Sequence, residues 1–328
     1  MAEATNLEEQ SSIVGMFKRL LHRGESGILL ALLVLMAGMT FLQPNFATAN
    51  NLFLVSRQIA LTAIVALGVF FVILTSGIDL SLGSTVGLSG FMCGLAMAGG
   101  WPWALAVGIG LLTGALVGAI NGGIVAFLGV TPFIVTLGML GAARGVVLVL
   151  KHGDSIREIP QPFINAANGT LLGLSVPVLM LLLLAVVSHI VLRHTVFGRR
   201  VYAIGGNEEA TAFSGINTRW VKFFTYVICG AFAAVTGVLF VARFQSAQAD
   251  AGKGMELDAI AATVIGGTSL MGGQGSVIGV LIGAVIMGVV RNGLVLLEVS
   301  SYWQELIIGV IIVLAAVLDV WRGRQRGK

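Results

Sequence analysis

Apolar runs close to the length of a membrane span recur along nearly the whole chain, and they decide what it can fold into. A helix needs about 20 apolar residues to cross the hydrocarbon core of a bilayer. Charged residues make up only 10% of the 328 residues, against about 25% in an ordinary soluble domain. The sequence therefore predicts an all-α polytopic membrane protein with about ten transmembrane helices. We place them at 27–43, 58–76, 82–99, 101–127, 132–150, 171–192, 221–243, 258–272, 276–297 and 303–321, of which the third and eighth are short and rich in glycine.

The predicted spans leave no room for a separate soluble domain. We assign residues 1–26 to a cytoplasmic N-terminal segment, 27–321 to the membrane domain and 322–328 to a basic cytoplasmic tail. A basic start followed by an apolar run is also typical of a signal peptide, but this run is longer than a signal core and many spans follow it. We therefore interpret it as an uncleaved first helix.

Basic residues occur in three clusters that predict the orientation, because cytoplasmic loops carry an excess of Lys and Arg. An even number of spans places all three clusters in the cytoplasm, with six helices between the first and second and four between the second and third. The prediction is a protein with both termini inside. Arg57 and Arg144 are exceptions, since they fall near the outside. The clusters are Lys18, Arg19 and Arg23; Arg193, Arg199, Arg200, Arg219 and Lys222; and Arg322, Arg324, Arg326 and Lys328.

The chain contains 45 glycines, many of them inside predicted helices, where glycine is unfavourable in water. In lipid, small residues at four-residue spacing let helix backbones approach closely. Gly110, Gly114 and Gly118 follow this spacing, and so do Gly279 and Gly283. We predict that these glycines lie at tight helix–helix contacts.

Two stretches of the first half recur in the second half. The segment GIDLS at 77–81 resembles GMELD at 254–258, an offset of 254 − 77 = 177 residues. The pair NG at 121–122 matches NG at 292–293, an offset of 292 − 121 = 171. In the predicted topology the first acidic motif faces the cytoplasm and the second faces outside, so the two halves are inverted. Inverted repeats are typical of transporters.

Asp79 places a carboxylate directly after the second predicted helix. A charge at the bilayer centre costs about 2.5–3.5 kcal/mol, so its position needs a reason. Between two helices its side chain can accept hydrogen bonds from free backbone N–H groups and favour the positive end of a helix dipole. The alternative is a place in a translocation path or its gate. The candidates for such a path or gate are Asp79, Ser81, Asn121 and Asn292.

The longest predicted inside loop covers residues 193–222. Asn207 can cap a short helix with Glu208 and Glu209 in its first turn, and Gly215 can end that helix. Taken on charge alone, the segment is typical of a solvated basic loop. The local pattern does not decide between a plain loop and a docking element.

Three segments together resemble the permease subunit of bacterial ABC importers for monosaccharides, and the ribose permeases in particular. They are TSGIDLSLGS, GGNEEATAFSGIN and ELDAIAATVIGGTSLMGGQGS, and the similarity covers about 28–320. The resemblance implies a protein of the bacterial inner membrane that associates with a second copy of itself. It also implies a cytoplasmic ATP-binding subunit and a periplasmic sugar-binding protein as partners.

In such permeases the loop between the sixth and seventh spans holds the short helix that docks into the ATPase. The resemblance therefore implies an ATPase-coupling role for Gly205, Gly206, Asn207, Glu208, Ala210, Ser214, Gly215 and Ile216. Glu209 stands where many relatives have alanine. Ribose is the sugar that the resemblance favours, ahead of xylose, arabinose, galactose, fructose or a furanosyl signalling molecule.

The sequence also bears on other functional classes. No G-x-x-x-x-G-K-[ST] segment occurs, so nucleotide hydrolysis is assigned to a partner and no cofactor is expected. An ion-coupled secondary transporter of a small polar solute is the alternative function, but it would want ionisable residues at mid-membrane. The four histidines are scattered and form no catalytic or metal-binding motif, which argues against a membrane enzyme or a metal site. Nothing indicates nucleic-acid binding, and the apolar surface is expected to contact lipid.

Overall fold

The computed structural model describes residues 24–326, which are helical apart from one short hairpin and the connecting loops. The first five helices are α1 (Gly24–Leu42), α2 (Ala49–Leu74), α3 (Leu82–Ala98), α4 (Trp103–Leu128) and α5 (Pro132–Lys151). There follow α6 (Gln161–Asn168), the antiparallel strands β1 (Thr170–Leu171) and β2 (Leu174–Ser175), α7 (Val176–His194), α8 (Val196–Gly206) and α9 (Glu208–Phe213). The last four are α10 (Thr218–Phe244), α11 (Met255–Ile265), α12 (Val277–Leu296) and α13 (Ser301–Arg326).

The predicted all-α membrane class is confirmed. Within the described part of the chain, six helices are long and apolar enough to cross a membrane, namely α2, α4, α5, α7, α10 and α12. Three more, α1, α3 and α13, contain shorter apolar stretches. The predicted sixth span began too early, because residues 170–175 form the β1–β2 hairpin and α7 starts only at Val176.

The predicted second span, 58–76, began nine residues too late, because α2 starts at Ala49. The predicted eighth span, 258–272, extends well past the helix found there. The helix here is α11, which has only 11 residues and rises about 17 Å, little more than half of the roughly 30 Å hydrocarbon core. An irregular segment at 266–276 follows it. Gly267, Gly272 and Gly273 adopt positive φ angles of 86°, 88° and 70°, a conformation that glycine reaches readily and that cannot continue a helix.

Helices α2 and α10 form the centre of the bundle. Residues 60–74 of α2 are buried except for the half-buried Thr62, and α10 packs against α2, α3 and α4. Phe71 and Phe232 meet edge to face, with ring centroids 6.3 Å apart. The more exposed helices α5 and α7 carry large apolar side chains on their surfaces, as contact with lipid requires.

The predicted glycine contacts are confirmed. A Cβ atom on Gly114 of α4 would overlap the Gly230 carbonyl of α10, and one on Gly118 would overlap the Tyr226 carbonyl. A Cβ atom on Gly283 of α12 would overlap the backbone of α11 in the same way. These glycines let the helix axes approach to distances that any side chain would prevent.

Helices α3 and α11 both begin inside the bundle. The Ile78 carbonyl, just before α3, accepts a hydrogen bond from the Tyr226 hydroxyl at 3.2 Å, and Tyr226 lies more than two turns into α10. Near the start of α11, the Glu256 carboxylate contacts Gly83 in the first turn of α3. The two acidic motifs thus lead into helices whose N-termini lie close together in the interior.

Arg57 and Arg144, the two exceptions to the charge pattern, both have protein partners. Arg57 Nη2 donates to Asn168 Oδ1 at 2.6 Å. Arg144 Nη1 donates to the carbonyls of Ala249 and Ala251 at 2.7 and 3.0 Å. These arginines hold the loops at the end of the bundle where α2 begins, which explains why they depart from the distribution of the other basic residues.

Candidate functional site

The segment 193–222 contains the short helix that the sequence predicts. Asn207 Oδ1 accepts a hydrogen bond from the Ala210 N–H at 2.9 Å and so caps α9. Glu208 and Glu209 occupy its first turn, where negative charge favours the helix dipole. Gly215, with a φ of +81°, follows the end of the helix. The predicted cap, first turn and terminator are all confirmed.

Helix α9 stands out from the bundle surface. Phe213 at its end is 91% exposed, although a phenyl ring is usually buried. The Ser214 hydroxyl donates to the Ala210 carbonyl at 2.9 Å, and the Ile216 N–H donates to the Thr211 carbonyl at 3.4 Å. These contacts order the turn after α9 within its own segment.

One salt bridge ties α9 to the start of α10. Lys222 Nζ lies 2.9 Å from Glu208 Oε2 and 3.1 Å from Glu208 Oε1. The Glu208 side chain is 44% exposed, so the pair contributes little to stability in solvent. It joins the first turn of α9 to the early part of α10.

The second group of candidate residues meets in the interior. Asp79 is 2% exposed, and Ser81 and Asn121 are fully buried. Asp79 Oδ1 accepts from the Ser81 N–H at 2.9 Å and from the Ser81 hydroxyl at 2.6 Å. Asn121 Nδ2 donates to the Ser81 hydroxyl at 2.9 Å. We call these three residues the interior polar cluster.

The interior polar cluster satisfies most of its hydrogen-bonding groups from within. No Lys or Arg among residues 24–326 forms a salt bridge with Asp79. Asn121 Oδ1 is buried and has no hydrogen-bond partner among those residues. The cluster therefore keeps an acceptor atom unused in a region where an unsatisfied polar group is costly.

Asn292, the fourth candidate, lies elsewhere. Its side chain exchanges two hydrogen bonds of 3.0 Å with the side chain of Asn51, near the start of α2. The interior polar cluster lies beyond the other end of that 26-residue helix, which is about 39 Å long. The structure thus brings three of the four candidate residues together and places Asn292 at the opposite end.

The second acidic motif has a partner that the sequence analysis missed. Arg291 of α12 forms a salt bridge with Asp258 at 2.7 Å, and the Asp258 side chain is only 10% exposed. An arginine within an apolar run is itself a signal, because such a charge is rarely tolerated without a partner. Each motif is therefore joined to the helix after the one it leads into: Ser81 to α4 through Asn121, and Asp258 to α12 through Arg291.

The described residues offer no metal site. Within 24–326, no group of three or more His, Cys, Asp or Glu side chains is arranged to hold an ion.

Comparison with known proteins places the chain in a family. Residues 51–316 match a family described as "Branched-chain amino acid transport system / permease component". No solved structure shows significant similarity to the chain.

Individual relatives align with this chain over nearly their full lengths. The chain is 45% identical to the ribose import permease of Escherichia coli K12, over 90% of this chain and 93% of that protein. It is 41% identical to the ribose import permease of Bacillus subtilis, over 89% and 92%. It is 36% identical to the D-allose transport system permease of Escherichia coli K12, over 97% and 98%. The chain therefore belongs to this family of ABC importer permeases, which includes the ribose import permeases.

Proposed function

We propose that this protein is the transmembrane permease subunit of a bacterial inner-membrane importer for a monosaccharide, most specifically ribose. The observation that carries the proposal is the 45% identity to a ribose import permease over 90% of the chain. The chain supplies the path across the membrane, and a separate subunit hydrolyses ATP.

The sugar is the part of the proposal that needs a direct test. A permease named for D-allose is also 36% identical, so relatives with this fold carry different monosaccharides. The gene, expressed with its own ATPase and binding protein in a bacterium lacking ribose permeases, should restore uptake of labelled ribose. Excess unlabelled ribose should compete better than allose, xylose, arabinose, galactose or fructose. Uptake that one of those sugars blocks more strongly would reassign the substrate.

The partners follow from the importer class. We infer a cytoplasmic ATP-binding subunit, a periplasmic sugar-binding protein and a second copy of the permease. The exposed apolar side chains of α5 and α7, such as Val149 and Leu183, fit contact with membrane lipid.

The segment 193–222 is the proposed contact with the ATPase. Its support is the capped helix α9, the exposed ring of Phe213 and the resemblance of its sequence to the docking loop of sugar permeases. The residues proposed to form the contact or to shape it are Gly205, Gly206, Asn207, Glu208, Ala210, Ser214, Gly215 and Ile216.

The proposed topology has ten membrane-embedded helices in two inverted halves. Helices α1 to α5 form the first half, and α7 with α10 to α13 form the second. Two packing relations support the repeat: α3 and α4 lie against α10, whereas α11 and α12 lie against α2. The first helix of each half does not follow this pattern. Helix α7 packs on α2 of the other half, whereas α1 packs mainly on α12 rather than on α10.

The orientation proposal puts both termini and the 193–222 segment in the cytoplasm. It divides the chain into the N-terminal segment 1–26, the membrane domain 27–321 and the basic tail 322–328. The basic residues of the first cluster and Lys328 lie outside the described residues. The reporter fusions described in the Discussion test this orientation.

The interior polar cluster is the proposed lining or gate of the path on the side of α9. Its support is the unused Asn121 acceptor and its position at the start of a helix that begins inside the bundle. Discontinuous helices of this kind are found where transporters bind substrate. Asn292 is the corresponding candidate at the opposite end.

A further inference from the structure

Three backbone segments meet where α2 ends. They are residues 74–76 at the end of α2, residues 205–206 at the end of α8, and residues 266–276, which we call the glycine loop. The Gly273 N–H donates to the Leu74 carbonyl at 3.0 Å, and the Ser76 hydroxyl donates to the Met271 carbonyl at 2.7 Å. The glycine loop is thus hydrogen-bonded to the end of α2.

Helix α8 contacts the same place. The Tyr202 hydroxyl donates to the Gly275 carbonyl at 3.0 Å. A Cβ atom on Gly205 would overlap both the Leu74 carbonyl and the Gly273 N–H. Gly205 is therefore the point at which α8, α2 and the glycine loop touch through their backbones.

The glycine loop connects the helix that carries the second acidic motif to the helix that carries its salt-bridge partner. It leads from α11, which contains Asp258, to α12, which contains Arg291. The end of α2 leads through residues 75–78 to Asp79 of the interior polar cluster. A displacement of α8 at Gly205 would therefore move both the segment that leads to Asp79 and the loop that joins α11 to α12.

Contacts between backbones transmit displacement better than contacts between flexible side chains. Protein interiors are close-packed, so a rigid element that moves must carry its contacts with it or break them. Helix α8 joins α9 through Asn207, which ends α8 and caps α9. No linker separates the two short helices, because Asn207 is the boundary residue of both.

We propose that Gly205 and Tyr202 are positioning residues for transport, and that the glycine loop links α8 and α9 mechanically to both acidic motifs. This inference rests on the proposed role of α9 as the ATPase contact. Movement of α9 with the ATPase would shift the end of α2 and the α11–α12 connection together.

Two variants separate this linkage from docking. Gly205→Ala introduces a Cβ atom into the three-way contact, and Tyr202→Phe removes one hydrogen bond while keeping the ring. The matched control is Gly123→Ala, because Gly123 also lies in a helix but has nothing within 4 Å of its Cβ position. Each variant is purified with its ATPase and reconstituted with the binding protein, and sugar transported per ATP hydrolysed is measured.

Both variants should transport at least about threefold less sugar per ATP, an effect of the size found for coupling residues. Tyr202→Phe, which lies outside the proposed ATPase contact, should also retain the ATPase in the purified complex. Gly123→Ala should match the wild type. The linkage is wrong if Tyr202→Phe keeps wild-type transport per ATP, or if it loses the ATPase. Should Gly205→Ala fail to reach the membrane, Tyr202→Phe decides alone. A wild-type complex that holds no ATPase would instead contradict the proposed function.

Discussion

Asp79 could serve either the local structure, as a hydrogen-bond acceptor, or transport, as a charge in the path. Its carboxylate is buried and pairs with no described cation, so its hydrogen bonds with Ser81 must compensate for lost hydration. The sequence predicted an acceptor for free backbone N–H groups here. Asp79 accepts from the Ser81 N–H, but Ser81 precedes α3 and no side chain caps that helix itself. Asn121 could not be placed beside Ser81 from the sequence, because that contact depends on how α4 packs.

Substitution of Asp79 distinguishes a structural cap from a charge that transport requires. Asp79→Asn keeps an acceptor oxygen and should retain much of the sugar uptake, normalised to membrane-inserted protein. Asp79→Ala should lose more, chiefly through a stability loss of about 1–3 kcal/mol for leaving the buried Ser81 donors without an acceptor. An Asn variant that is folded, assembled with its ATPase and inactive would show that the charge itself belongs to the path.

Asn207 offers a second test at a single residue. Asn207→Ala removes the acceptor for the Ala210 N–H, at a cost of about 0.5–2 kcal/mol in the stability of α9. ATPase binding, measured by co-purification over a concentration series, should weaken by about twofold to thirtyfold. Asn207→Asp keeps the cap and should bind normally, as should the exposed control Glu209→Ala. Normal binding by the Ala variant would separate α9 from the docking site.

Among the elements, the long apolar helices and the capped short helix α9 were predictable, whereas α6, α8 and the end of α11 were not. Hydropathy identifies α2, α4 and α10 because each is 26 or 27 residues long and mostly apolar, enough to cross the hydrocarbon core. It fails at α11, since the apolar run continues through glycines whose positive φ angles end the helix at Ile265. Glycine spacing, in contrast, predicted helix contacts correctly, because close approach in lipid depends on local residue size.

The contact between α4 and α10 gives a matched test of this principle. Gly118→Ala places a methyl group against the Tyr226 carbonyl and should destabilise the protein by about 1–3 kcal/mol, the usual cost of overpacking. Gly108→Ala, on the same helix with nothing within 4 Å, should leave stability unchanged. The readout is the melting temperature of the detergent-solubilised permease. Equal melting temperatures for the two variants would refute the tight contact.

For the whole molecule, charge distribution predicts orientation, while the packing of distant helices supports the proposed relation between two halves. The repeated motifs suggested a duplication, but only the structure shows α3 and α4 against α10, and α11 and α12 against α2. Such contacts between distant segments leave no periodic signal in the sequence. The salt bridge of Arg291 with Asp258 is of the same kind.

Reporter fusions test the orientation of the whole chain. Fusions after Gly27, Asn168, Thr218 and Lys328 should report inside, outside, inside and inside, because the three basic clusters favour the cytoplasm. The enzymatic activity of a reporter that works on only one side of the membrane provides the measurement. An external C-terminus would contradict the ten-helix topology.

We propose that this permease moves a monosaccharide with energy from ATP that a partner subunit hydrolyses. The most direct measurement is uptake of labelled ribose by proteoliposomes containing the permease and its ATPase, with ATP on the ATPase side and the loaded binding protein on the other. We predict uptake that requires both ATP and the binding protein and that persists when proton and sodium gradients are abolished. Uptake driven by an ion gradient in the absence of ATP would contradict ATP-driven import and identify the protein as a secondary transporter.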